Sequence, residues 1–146
     1  MLGKVGRFAT VMILFAQLSS YSWAIDTNCS VCGMTISEDS RNHILLKKEA
    51  SEPTPLHICS ASCAHKAKKH DPKLTQSQVS DFNHPDRFIP GDQAFFLIKS
   101  DKIKADLGPR AMPPYFGAFA TKAEADVAQK KYGDGEIVQG FDNVVK

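Results

Sequence analysis

The sequence predicts an α+β fold built from two small lobes of ββα(β) type packed together. Three observations carry that prediction. Short apolar runs of strand length recur along the chain, among them His43–Lys47, Leu56–Cys59, Ala94–Lys99 and Tyr115–Ala120. Two segments carry helix start and stop signals, and each follows a pair of strand-like runs. A polar, turn-rich stretch with Pro85, Pro90 and Gly91 separates the two halves. The order β-β-α thus occurs twice, with one more strand after the second helix. No sequence repeat accompanies it.

Residues 1–24 read as a secretory signal peptide. Lys4 and Arg7 form a basic start, and Phe8–Leu18 is an apolar run. That run is shorter than the ~20 residues a bilayer span needs. Small residues around Ser22-Trp23-Ala24 suit cleavage after Ala24. Residues 25–75 form the expected N-terminal ββα lobe. His43–Lys47 and Leu56–Cys59 are its strands, joined by the proline-marked turn Glu49–Pro55. Ser60 is a good N-cap for a helix running to about His70. Lys66, Lys68 and Lys69 favour the negative end of its dipole, and Asp71-Pro72 stops it. Residues 76–93 are expected to link the lobes, with a short strand near Val79–Phe82.

Residues 94–146 form the expected ββαβ lobe. Phe95, Phe96, Leu97 and Ile98 read as a buried strand, and Lys102–Ala105 as a short irregular strand within a loop. After Tyr115–Ala120, Thr121 and Glu124 form a capping box. The helix runs to about Tyr132, with Ala123, Val127, Ala128 and Tyr132 on its buried face. Gly133 is its expected C-cap, and Glu136–Phe141 closes the lobe.

Composition narrows the function classes. The leader takes two of the 18 basic residues and none of the 16 acidic ones, so the mature chain carries sixteen of each. No basic face points to nucleic acid, and no later segment is long enough for stable membrane insertion. No catalytic serine elbow, phosphate-binding glycine loop or H-E-x-x-H helix is present, which favours binding over catalysis. Export to a periplasmic or extracellular compartment permits disulfides.

The chemistry-bearing residues are sulfurs. Cys29-Ser-Val-Cys32-Gly-Met34 is followed, after 26 residues, by Cys59-x3-Cys63. Gly33 marks a tight turn. Cys63 falls in the first helical turn, where the dipole is expected to lower its pKa. Three readings stand side by side: one or two disulfides, a closed zinc site of all four thiolates, or a copper site using some of them. A thiol–disulfide oxidoreductase would need a C-x-x-C opening a helix, and here it turns into a strand. Met34 and Met112 are the only methionines beyond the leader. Thiolate and thioether together select Cu(I). Met34 lies two residues from Cys32, on the same side if that segment is extended. Met112 precedes the stiff pair Pro113-Pro114. His57 alternates with Cys59 onto one strand face and could extend a metal site. His65 and His70 lie on a lysine-rich helix and read as solvated.

With these residues in hand, the chain resembles the NosL family of copper chaperones linked to nitrous oxide reductase. The resemblance rests on Cys29-Ser-Val-Cys32-Gly-Met34, on Asp92-Gln93-Ala94-Phe95-Phe96, and on Met112-Pro-Pro-Tyr-Phe-Gly-Ala-Phe-Ala-Thr-Lys-Ala-Glu-Ala-Asp126. Pro113 stands where the family motif carries glycine. The cysteine pattern is also similar to small TRASH and YHS metal-binding modules. The NosL resemblance implies a two-lobed α+β fold and a non-enzymatic carrier of Cu(I). It implies Cys32, Met34 and Met112 as the ligands; Cys29, Cys59, Cys63 and His57 are secondary candidates on their own spacing, and the three extra cysteines exceed what such a copper site needs. The resemblance implies a periplasmic copper enzyme, such as nitrous oxide reductase, or its assembly factors as the partner. The alternative is a zinc- or disulfide-stapled TRASH-like interaction module, in which the four cysteines converge and Met112 packs elsewhere.

Overall fold

Alternation sets the first sheet. In the structure, a computed structural model that describes residues 27–144, Ile44 and Leu46 are fully buried while Leu45 and Lys47 are half-exposed. This is the two-residue period of a strand with one covered face. The expected leader, 1–24, lies outside the described residues. From Thr27 the chain forms β1 (Thr27–Asn28), β2 (Thr35–Ile36), β3 (Ile44–Lys47), β4 (Leu56–Ile58), α1 (Ala61–His70), β5 (Gln76–Ser80) and β6 (Phe88–Pro90). It continues with β7 (Phe95–Ile98), a 3-10 turn at Lys102–Asp106, β8 (Phe116–Phe119), α2 (Lys122–Tyr132), β9 (Glu136–Gln139) and a 3-10 turn at Phe141–Asn143.

All strand pairs are antiparallel. β1 and β2 form a small hairpin, β4-β3-β5-β6 a four-stranded sheet, and β8-β7-β9 a three-stranded sheet. The α+β architecture of two packed lobes is therefore present. The stretch expected as a linker is not one. β5 is an interior strand, paired along its length with β3, and β6 is the sheet edge beside it. The polar run predicted only a short strand near Val79–Phe82, which the structure extends and shifts to Gln76–Ser80. Val79 and Ser80 are buried, and the Ser80 hydroxyl satisfies itself on the Ser40 carbonyl at 2.9 Å, so a serine fits inside without an unpaired polar group.

α1 begins as expected at Ser60, whose Oγ accepts from the Cys63 N–H at 3.2 Å. It buries Ala61, Cys63, Ala64 and Ala67, small residues that let the helix lie close on the sheet. α2 has both halves of the Thr121/Glu124 capping box and ends at Gly133, φ +71°. Its buried face differs from the expected one. Ala125, Ala128 and Tyr132 face inward, while Ala123 is exposed and Val127 is 68% exposed. Tyr132 decides the rotation: its ring packs against Phe82 and its hydroxyl donates to the Asp106 carboxylate at 2.5 Å. Residues 102–106 form a 3-10 turn rather than a strand, pinned inward by the fully buried Ile103.

One core runs through both sheets. Ile44, Leu46, Ile58 and Val79 from the first join Phe96 and Phe116 from the second and Phe141 from the 3-10 turn that follows it. The three phenylalanine rings meet edge-on or tilted at centroid distances of 5.8, 5.9 and 6.4 Å, within the range of favourable aromatic pairs. The seam is also bonded: Phe82 N–H donates to Ala118 O at 2.7 Å. Beside it the buried Asp81 carboxylate takes the Arg87 guanidinium, with Nε at 3.0 Å, and the Asn83 N–H at 2.9 Å.

Candidate metal centre

The Cys29–Met34 segment folds as a knuckle. Cys29 N–H donates to Met34 O at 2.8 Å, and Gly33 N–H to Cys29 O at 2.9 Å. Gly33 sits at φ +74°, a conformation that costs glycine nothing. The positive φ bends the chain, so Cys32 and Met34 are not on an extended segment as expected. A third bond, Ser30 N–H to His57 O at 2.8 Å, seats the knuckle against β4. That strand ends just before Cys59, and the first turn of α1 adds Cys63.

These three segments bring four thiols together. The Sγ atoms of Cys29, Cys32, Cys59 and Cys63 all lie within 4.8 Å of one another. Cys32 and Cys59 are 3.5 Å apart, and Cys59 and Cys63 are 3.8 Å apart. Cys29, Cys59 and Cys63 are buried, and Cys32 is exposed. The group is thus a pit of three thiols with the fourth at its mouth.

Their electrostatics differ. Burial pushes the Cys29 thiol up, but the backbone N–H groups of Cys32, Val31 and Cys59 outweigh it, and the pKa falls to about 7. Burial pushes Cys59 well up, and its contacts with Cys32 and Cys29 push it further. Cys63 is also pushed up, chiefly by burial. The expected lowering by the helix dipole loses there to desolvation.

The other candidates fall around this group. Met34 is half-buried and, with Cys59, lines a narrow cleft closed by the loop 107–111. Met112 follows that loop and is 43% exposed. The next residue is tied to the helix: Ser62 Oγ donates to Pro113 O at 3.2 Å. The methionine loop therefore sits against the first turn of α1, beside the residue that precedes Cys63. His57 turns elsewhere. Its Nδ1 lies 3.1 Å from His43 Nε2, and the thiol group contains no histidine. His57 serves the site through its carbonyl. The histidine pair was not legible in the sequence, because only the β3–β4 register brings positions 43 and 57 together.

Similarity to known proteins extends well beyond this sulfur corner. The family model described as NosL matches residues 21–146. The chain belongs to the NosL family. Its fold is similar to the crystal structure of the copper chaperone NosL from Shewanella denitrificans, with a TM-score of 0.59 at 22% identity. The match covers 77% of this chain and 86% of that one. No curated protein sequence matches. Among the described residues of this NosL-family chain, no helix is long and apolar enough to cross a membrane.

Proposed function

We propose that this chain is an exported copper carrier that delivers Cu(I) to a periplasmic copper enzyme such as nitrous oxide reductase, or to its assembly factors. It acts as a carrier rather than a catalyst. Family membership supports the class of function, and the protein of similar fold from Shewanella denitrificans is a copper chaperone. The observation that carries the reading is the single exposed thiol, Cys32, two residues from Met34, in a cysteine group whose Cys63 shares the first turn of α1 with Ser62, the residue bonded to the Met112 loop through Pro113 O.

The chemistry follows from that placement. Cu(I) is a soft ion, satisfied by two or three sulfur ligands. Cys32 supplies one thiolate, and Met34 and Met112 supply weak thioethers. An incoming ligand from a partner can reach an exposed thiolate and replace the thioethers one at a time. The basic, apolar leader supports export.

Anaerobic titration of the reduced protein with Cu(I), against a competing chelator, tests the reading. Cys32→Ser, Met34→Ala and Met112→Ala are each expected to weaken copper binding by at least the roughly 10–100-fold that follows loss of even an outer-shell partner. Unchanged affinity in Cys32→Ser and Met112→Ala would sink it.

A further inference from the structure

Copper carriage through Cys32, Met34 and Met112 leaves three buried thiols without a role. We propose that Cys29, Cys32, Cys59 and Cys63 form a second, tetrathiolate site that holds a zinc ion and staples the knuckle to β4 and α1, with Cys32 the one ligand common to both metals. The inference goes beyond the copper reading and shares only that residue with it.

Geometry makes the first argument. Zinc–thiolate bonds of ~2.3 Å in a tetrahedron place the sulfurs about 3.8 Å apart. The two closest pairs stand at 3.5 and 3.8 Å, and all four sulfurs fall within 4.8 Å. That is the spacing around one ion, with no room for a multi-iron cluster.

The backbone makes the second argument. Three main-chain bonds hold the knuckle in place, Cys29 N–H to Met34 O at 2.8 Å, Gly33 N–H to Cys29 O at 2.9 Å and Ser30 N–H to His57 O at 2.8 Å, and so seat Cys29 and Cys32 against the strand end that leads to Cys59. On the other side Ser60 caps α1 by accepting from the Cys63 N–H at 3.2 Å, which fixes Cys63 in the first helical turn.

The third argument is structural need. The knuckle hangs on strands of two residues each, and so small a hairpin is marginal by itself. A metal held by residues 29 and 63 closes a long loop, the case in which a clip stabilises most. Cu(I), with its preference for fewer ligands, gains little from a fourth thiolate, whereas zinc completes its shell.

The test loads the reduced protein anaerobically with Co(II), the spectroscopic substitute for zinc. One Co(II) per chain is expected, with the absorption of a four-sulfur tetrahedral site. One equivalent of zinc should displace it, and zinc should raise Tm. Met34→Ala and Met112→Ala should leave all of this unchanged. Cys32→Ser, at the exposed position, should stay folded by circular dichroism. It should bind cobalt through three sulfurs, more weakly by at least roughly 10–100-fold. One equivalent of Cu(I) added to the cobalt form should convert the four-sulfur spectrum to the three-sulfur one. Absent cobalt binding, fewer than four sulfurs in the wild type, or identical spectra in wild type and Cys32→Ser would overturn the site. An unchanged spectrum on adding Cu(I), or full release of cobalt, would overturn the sharing of Cys32. Failure of the copper reading looks different: the four-sulfur site persists while Met112→Ala keeps its copper affinity.

Discussion

At the scale of single residues, His43 sets a pH dependence. Burial, and secondly the neighbouring His57, lower its pKa to about 4, below the ordinary 6.5. His57 is pushed the same way by its own burial. A depressed histidine pKa means that the folded state refuses a proton which the unfolded chain accepts. The stabilisation is therefore complete above pH 6.5 and is lost as pH falls from there toward 4. After discounting for partial exposure, the loss is on the order of 2 kcal/mol. Thermal unfolding across that window should show a falling Tm, and His43→Gln should flatten most of the slope. A slope equally steep in the variant would contradict this origin. The same scale shows what a sequence hides about a site. Gly33 and the C-x-x-C announce the knuckle because turn chemistry is local. The meeting of Cys32 with Cys59 depends on Ser30 N–H finding His57 O, a contact between distant residues that no spacing encodes. The reversal at Cys63 has a similar source, since desolvation is a property of the packed neighbourhood.

At the scale of elements, helix ends were legible and helix faces were not. Thr121, Glu124 and Gly133 fix the limits of α2 through bonds within a few residues. Its inward face is fixed by Tyr132 reaching Phe82 and Asp106, which belong to other elements. β5 is hard to read because its serines and glutamines look like loop, and its burial comes only from lying beside β3. The turn between α2 and β9 makes a sharper demand. Gly135 has φ +87°, and a Cβ there would stand 2.6 Å from Ile98 O. Gly135→Ala combines backbone strain with a clash against main chain, so a loss of about 2 kcal/mol or more is expected. Chemical denaturation measures it. A loss near zero would mean that the turn can shift as a unit, contrary to its packing on β7.

For the molecule as a whole, the shared core makes the two lobes one folding unit. Phe116 belongs to the second sheet yet touches Phe96 and Phe141 in the cluster that also holds Ile44, Leu46 and Ile58. Removing its ring leaves a cavity between the sheets, and Phe116→Ala should cost about 3–5 kcal/mol. Far-ultraviolet circular dichroism and tyrosine fluorescence should still report one coincident transition, as a single cooperative unit requires. Two separated transitions would show the lobes to be independent. The α+β class was legible because strand periods and caps survive as local patterns. The depth of the junction was not, since residues 76–93 look like a tether and instead supply two strands of the first sheet.

The Ser62–Pro113 contact joins the helix of one lobe to the methionine loop of the other across an exposed surface. A bond of that kind contributes only about 1 kcal/mol, little more than thermal agitation. The corner where cargo would change hands is consequently closed by a light clasp. On the proposed reading, a docking protein would have to break only this bond to free the loop from the head of α1, a step that leaves the contacts among Phe96, Phe116 and Phe141 in place.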